Sequence, residues 1–393
     1  MTTRLSEDDI YRTSTQYRLW SYSPAQLAAQ RRKTHELAIA RAQQNASKDG
    51  EQNGASDAGN VEYLTEEEEL RLVQRYCVNI RATAEHLKWP INVKTTAVQY
   101  LKRFYLSNSC MTYPPLEIYK TAMFLASKTE AIHITVPKFA ASIRADADAI
   151  LAPEYKFMQA LRFTLDVRQP FRGLKGALME LMNMAEGLMG TLDGTEQKSG
   201  KEVQQTMLGL KPSSAECKTP WKAPSGTVTT TNLNDRIRAA YDAARYLLDA
   251  PASLTDAYFL YTPSQILLAA LHLADEPLTS FYLDTKLPPT SPSRSKILST
   301  IQSCADMLAS FNPNASMSKD ERDALEKKLE RCRDPTTKDL IKSHAAMKRN
   351  GVEEGKVDEE KSKRRKLERE KSSKEMDDLF GPSLAQGKAN GNG

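Results

Sequence analysis

The stretch Pro115-Leu-Glu-Ile-Tyr-Lys-Thr-Ala-Met-Phe-Leu-Ala-Ser-Lys128 decides the fold. A proline in the first turn pre-sets the backbone for a helix, and Ile118, Ala122, Leu125 and Ala126 follow at helical spacing. The run is apolar on most sides, which suits a helix at the centre of an all-α bundle. A second copy lies further along the chain. Pro115, Ile118, Ala122, Leu125 and Ala126 match Pro263, Ile266, Ala270, Leu273 and Ala274 position for position at one constant offset. Two such centres imply two tandem helical bundles.

Four helices are expected around the first centre. Thr65 and Glu68 form a capping box that opens a helix with Leu70, Val73, Cys77, Ile80, Ala84 and Leu87 on its apolar face, and Pro90 ends it. Residues 93–106 carry Ala97, Val98, Leu101, Phe104 and Tyr105 on a face broad enough to predict nearly complete burial. A short helix over 136–144 and a fifth over 153–163, with Pro153 in its first turn, complete the set. Amphipathic stretches at 171–189, 233–248 and 297–308 surround the second centre. The organisation that follows is an N-terminal arm with one helix (1–44), a flexible linker (45–60), a first fold (61–168) and a second fold (169–312). The second fold carries a polar insertion at about 190–232, expected to be disordered because it offers little to bury, so that deleting 194–224 should leave thermal stability nearly unchanged. A C-terminal helix (313–334), opened by Ser318 and Glu321 with a narrow stripe at Leu325, Leu329 and Cys332, precedes a charged basic tail (335–393) expected to be disordered.

Composition bounds the function. The chain has 393 residues, 40% of them hydrophobic, and a net charge of +5, modest beside that of a protein that coats nucleic acid. Five cysteines are scattered with no paired spacing and no histidine at ligand distance, so they read as reduced, mostly buried thiols without a metal. No apolar run reaches about 18 residues and no apolar leader opens the chain, which argues against membrane spans and secretion and points to the cytosol or nucleus. Neither GxGxxG nor GxxxxGK[ST] occurs, and His35, His86, His133, His272 and His344 sit far from any nucleophile motif. No active site, cofactor or small-molecule ligand is expected.

Two charges stand out. Lys128 ends the first central helix and Glu154 opens the fifth, each placed to complement a helix dipole, and together able to form a two-pronged polar grip on one edge of the bundle. The internal repeat acts as a control: the matching positions of the second copy are Glu276 and Gln302, so that copy lacks the pair. Near the C-terminus, Lys361, Lys363, Arg364, Arg365 and Lys366 fall within six residues, either a solvated tail or a nuclear import signal. Ser23-Pro24, Thr219-Pro220 and Ser291-Pro292 fit proline-directed kinases, although such dipeptides are common in loops.

At Lys102-Arg-Phe-Tyr105, Phe124-Leu-Ala-Ser-Lys128, Gln159-Ala-Leu-Arg-Phe163 and Leu254-Thr-Asp-Ala-Tyr-Phe-Leu-Tyr-Thr-Pro-Ser-Gln265 the chain resembles the cyclins, and within them the cyclin H type. Ser14-Thr-Gln-Tyr-Arg-Leu-Trp20 and Lys327-Lys-Leu-Glu-Arg-Cys332 extend the resemblance to both ends, while the polar insertion and basic tail look fungal. The resemblance implies two tandem five-helix cyclin folds flanked by terminal helices, and a non-catalytic subunit that binds and activates a cyclin-dependent kinase. It further implies a RING-finger assembly factor and the core of transcription factor IIH as partners. The substrates implied are the C-terminal repeats of RNA polymerase II and the activation loops of other cyclin-dependent kinases, in the nucleus. Lys128 and Glu154 are the residues that, by the same resemblance, hydrogen-bond backbone beside the kinase αC helix, with Lys120, Phe124 and Phe157 as supporting contacts. Two departures are visible. Leu70-Arg-Leu-Val73 diverges from the Met-Arg-Ala-Ile-Leu motif with which cell-cycle cyclins recruit substrates, and residue 127 is Ser where many relatives carry Cys. The rival is a DNA-binding factor of the transcription factor IIB type, a family that starts with a zinc ribbon and needs basic faces on its repeats; the arm here has neither cysteine nor ribbon spacing. A helical scaffold without a kinase partner is the third reading.

Overall fold

The computed structural model describes residues 7–53, 61–190, 198–214, 216–312, 317–337 and 340. The described residues from 7 to 337 form one compact unit. The remainder, including the basic run from Lys361 to Lys366, lies outside the described residues apart from Leu340.

Three helices make the N-terminal arm, where the sequence indicated one: α1 (Glu7–Thr13), α2 (Thr15–Trp20) and α3 (Pro24–Asn53). Ser14 caps α2 by accepting from Tyr17 N. The linker expected from residue 45 does not begin there, because α3 continues to Asn53. Its backbone bonds are internal to the helix, and Asn45 Nδ2 anchors it by donating to Asp334 Oδ1 at 3.0 Å. Residues 54–60 lie outside the described residues.

The first fold contains α4 (Glu66–His86), α5 (Ile91–Phe104), α6 (Pro115–Thr129), α7 (Val136–Ser142), α8 (Ala147–Leu151) and α9 (Glu154–Ala160). The Thr65–Glu68 capping box is present at the start of α4. The buried face of α4 is Glu69, Leu72, Val73, Tyr76, Cys77, Ile80 and Ala84, so Leu70, counted as core from the sequence, is exposed instead. The short α8, capped by Asp146, was not anticipated. Every residue of α5 from Val93 to Phe104 is buried. That includes Lys94 and Lys102, because α5 faces the second fold, and Arg103, which donates to Asp166 O and to Gln16 Oε1 of the arm. Lys94 Nζ donates to Asp249 Oδ2 at 2.8 Å, Gln99 Nε2 to Ser253 O at 3.1 Å, and Lys102 Nζ to Thr255 O.

The second fold contains α10 (Phe171–Ala185), α11 (Gly200–Leu208), α12 (Thr230–Asp249), the short α13 (Pro251–Leu254) and α14 (Ala257–Leu260), α15 (Pro263–Ala274), α16 (Glu276–Asp284) and α17 (Arg294–Ala309). The repeat holds in three dimensions: α6 and α15 both start on proline, and Ile118, Ala122 and Ala126 are as fully buried as Ile266, Ala270 and Ala274. Among the described residues there are helices and turns but no strand. The C-terminal α18 (Lys319–Cys332) is capped by Ser318 and buries the expected Leu325, Leu329 and Cys332. It is held to α4 by Tyr76 Oη donating to Glu326 Oε1 at 3.0 Å and by Lys328 Nζ donating to Glu68 Oε2 at 2.9 Å.

The insertion is the main correction to the sequence reading. Helix α11 forms inside it, opened by a Ser199–Glu202 capping box, and buries Val203 and Met207 in the main core. Composition hid this i, i+4 pair because only one face of a short helix needs to be apolar. Gly187, at φ +71°, ends α10 with Gly187 N donating to Met184 O and Leu188 N to Asn183 O. The start of α11 then approaches so closely that a Cβ on Gly200 would lie 2.1 Å from Gly187 O. Further on, Lys218 N donates to Leu273 O at 2.9 Å, and the Trp221 ring lies 5.2 Å from the Arg236 guanidinium. The described part of the insertion therefore packs; residues 191–197 and 215 lie outside the described residues. All five cysteines are free, and burial pushes Cys77 and Cys304 up to about 12, which makes those thiols inert.

Candidate functional site

Helix α6 ends in Ser127-Lys128-Thr129 while Pro153 sets the start of α9, and the two helices pack against each other. Lys128 in the last turn of one and Glu154 in the first turn of the other each complement their own helix dipole. The geometry brings them together: Lys128 Nζ donates to Glu154 Oε1 across the gap between the helix ends. The ammonium also sits 4.4 Å from the centre of the Phe124 ring. The pair stays accessible, with 44% of the Lys128 side chain and 20% of Glu154 exposed. Among the described residues Glu154 Oε2 accepts no hydrogen bond, and the lysine has donors to spare beyond its one acceptor. The pair is therefore preassembled and has unused hydrogen-bonding capacity on both members.

The supporting residues named from the sequence divide. Lys120 lies half-buried on α6, with its ammonium 5.7 Å from the Tyr119 ring centre. Phe124 is almost wholly buried, beneath Lys128 and stacked on Phe139. Phe157 is completely buried, its ring 4.9 Å from Phe104 and nearly parallel to it. It cannot meet a partner in this arrangement, and its place in the expected contact set is corrected here. The α9 repeat puts it on the inward face, which its apolarity already suggested. Apolar side chains that do stand out are Leu116 at the start of α6, Tyr155 beside Glu154, and Phe163 just past α9. Phe163 and Arg162 both take left-handed backbone, φ +53°, where the chain turns back at the end of α9. Sequence reasoning passed these three over because exposure of a large apolar side chain is a property of the packed helix, not of its pattern.

The second fold lacks the grip for a structural reason. Where α6 has Ser127, the second copy has Asp275, which ends α15 and caps α16 by accepting from Leu278 N at 3.1 Å. Asp275 is fully buried in a bidentate pair with Arg236, at 2.7 and 2.8 Å. Glu276 therefore falls in a new helix rather than at a free helix end, and Gln302 bonds its own neighbour Asp306. Along α4, Leu70, Val73 and Val78 line a cavity of about 540 Å³ shared with α3, where Arg71 is paired with Glu321 of α18. Among the described residues there is no metal-binding cluster and no helix long and apolar enough to cross a membrane.

Comparison with known proteins decides the family. The cyclin N-terminal domain matches residues 60–166 and the cyclin C-terminal domain residues 169–309. The chain belongs to the cyclin family. A similar curated protein is Cyclin CCL1 of Saccharomyces cerevisiae, 32% identical over 300 residues, which span 75% of this chain and 65% of CCL1. Among solved structures, the chain resembles one in the CAK complex of Chaetomium thermophilum bound to ATP-γ-S, with TM-score 0.68 and 34% identity over 88% of this chain and 96% of that one. It also resembles a chain of the yeast TFIIK (Kin28/Ccl1/Tfb3) complex, with TM-score 0.52 and 29% identity over 76% of this chain and all of that one. The two matched domains are the two folds described above, and the Lys128–Glu154 pair lies in the first.

Proposed function

We propose that this chain is the regulatory cyclin subunit of a cyclin-dependent kinase, of the cyclin H type, working in the kinase module of transcription factor IIH. The observation that carries the reading is the preassembled Lys128–Glu154 pair at an exposed edge of the first cyclin fold, with spare hydrogen-bonding capacity on both members. The likeness to chains in CAK and TFIIK assemblies supports it. An active kinase needs the glutamate of its αC helix to reach the ATP-binding lysine, and a partner that binds only the helix-in arrangement shifts the population towards it. The polar pair fixes the register of docking by bonding exposed backbone, while Leu116, Tyr155 and Phe163 supply apolar area and Lys120 a flanking charge.

In this reading the chain carries no catalytic residue of its own. A RING-finger assembly factor and the transcription factor IIH core are further partners, the action is nuclear, and the run from Lys361 to Lys366 serves import. The phosphorylated targets are the polymerase C-terminal repeats and other kinases' activation loops. The test is to mix the purified chain with an inactive, monomeric cyclin-dependent kinase of the same organism and measure phosphorylation of a polymerase-repeat peptide. Activation that rises with the chain and saturates is expected. Failure to bind or activate any such kinase overturns the proposal.

A further inference from the structure

Four Ser/Thr-Pro dipeptides occur in the chain, at Ser23, Thr219, Thr262 and Ser291. A proline-directed kinase holds its acceptor in an extended segment, reads the proline that follows because it lacks an N–H, and favours a basic residue two positions beyond that proline. Thr219-Pro-Trp-Lys222 and Ser291-Pro-Ser-Arg294 satisfy the full pattern, whereas Ser23 and Thr262 have glutamine at the basic position.

The structure separates the four by how much order each must give up. Ser23 opens α3: its carbonyl accepts from Leu27 N and its hydroxyl from Gln26 N. Thr262 opens α15 in the same way, accepting from Ile266 N and Gln265 N. Ser291 is held in a turn, with Ser291 N donating to Pro288 O and Arg294 N to Ser291 O. Its basic residue is also engaged, since the Arg294 guanidinium donates to Asp284 and to Leu287 O. Presenting any of these three requires a helix end or a turn to open.

Thr219 differs. Among the described residues, positions 219–228 form no main-chain to main-chain hydrogen bond, and no helix passes through them. The segment is tethered just before the acceptor, where Lys218 N donates to Leu273 O, and again where Trp221 lies against Arg236. Pro220 and Lys222 are exposed and Thr219 is partly so. The Thr219 hydroxyl accepts a long bond, 3.3 Å, from Trp221 N. Only that bond and the one-sided Trp221 stack need to open for the segment to lie extended in a kinase cleft.

We propose that Thr219 is a phosphoacceptor for a proline-directed serine/threonine kinase, with Pro220 and Lys222 as the residues recognised. Thr219 Oγ1 forms a bond to the γ-phosphorus of ATP as the bridging bond to the β-phosphate breaks, ADP leaves, and the hydroxyl proton passes to the kinase's catalytic carboxylate. The new group places about −1.5 to −2 charges on a segment that carries Lys218 and Lys222 in its sequence. The site does not depend on this chain itself holding a kinase.

The test uses the full chain as substrate, an active cyclin-dependent kinase already bound to its own cyclin, and Mg-ATP, with the phosphate located by peptide mass mapping. Label is expected chiefly on Thr219, falling about fivefold or more in Thr219→Ala and severalfold in Lys222→Ala, with melting temperatures unchanged in both. The proposal is overturned by absence of label, or by label that persists in Thr219→Ala and maps to Ser23, Thr262 or Ser291.

Discussion

Lys128 and Phe157 were grouped together from the sequence, yet the packed molecule gives them opposite work. Lys128 is exposed and paired with Glu154, so its removal strips one surface ion pair worth at most about 1 kcal/mol of stability. Lys128→Ala and Glu154→Ala should therefore leave the melting temperature within a degree or two while weakening kinase binding roughly 10- to 100-fold, as isothermal titration against the kinase would read. A large drop in melting temperature with unaltered kinase affinity would refute that assignment. Phe157 is the reverse case. Its ring is fully buried against Phe104, so Phe157→Ala leaves a cavity and should cost about 3–5 kcal/mol in urea unfolding. A loss of kinase affinity without a loss of stability would return Phe157 to the interface.

At the scale of elements, the insertion is where pattern and packing part company. Its one buried face, Val203 and Met207, is reached only because α11 starts almost in van der Waals contact with the end of α10. Gly200 is the residue that allows the approach, and any side chain there meets backbone rather than a flexible neighbour. Gly200→Ala should lower stability by about 1–3 kcal/mol, read as a fall in urea midpoint, by forcing α11 off the core. Deletion of residues 194–224 should do at least as much, contrary to the neutral effect that composition suggests, because Val203, Met207 and the Trp221–Arg236 stack go with it. An unchanged midpoint in both variants would mean that α11 contributes nothing to the core.

At the scale of the molecule, the two folds are joined by buried and half-buried charges. Arg31 of α3 grips Asp256 of the second fold through two bonds, 2.8 and 2.7 Å, while His35, one turn on, meets Glu69 of the first fold at 2.6 Å. Trp20 and Tyr22 extend the clamp, with Trp20 Nε1 donating to Thr164 Oγ1 and Tyr22 N to Phe259 O. Burial alone would raise the Asp256 carboxyl, but Arg31 and Lys102 outweigh it and hold the group below the usual carboxylate range. Asp249, buried but bound by Arg81 and Lys94, is lowered likewise. A depressed pKa means stability that is present above the unfolded-state value, about 4, and is lost as pH falls through the folded-state value. Thermal unfolding should therefore show a deficit of about 1–3 kcal/mol for Asp256→Asn at pH 7 that shrinks as pH drops below about 4. A deficit independent of pH would show that the carboxylate charge is not what holds α3 to the second fold.

Much of this was legible without coordinates. The two proline-led central helices, the Thr65 and Ser318 caps, the C-terminal helix and the places of Lys128 and Glu154 at helix ends follow from local signals: periodicity, capping chemistry and dipole preference act within a few residues. What lay beyond the sequence is everything set by the approach of distant segments. Burial of 93–106 was legible, but not what receives its charges: Lys94 and Lys102 bond Asp249 and Thr255 O of the second fold, whereas Arg103 bonds Asp166 O and Gln16 Oε1 of the arm. Leu70 read as core and is exposed, Phe157 read as interface and is core, and the polar insertion contributes a buried helix. The amino-acid sequence alone determined that there are two cyclin folds and which of them carries the pair. Only the tertiary structure decided which side chains face solvent, because burial depends on what packs against a helix as well as on the pattern along it.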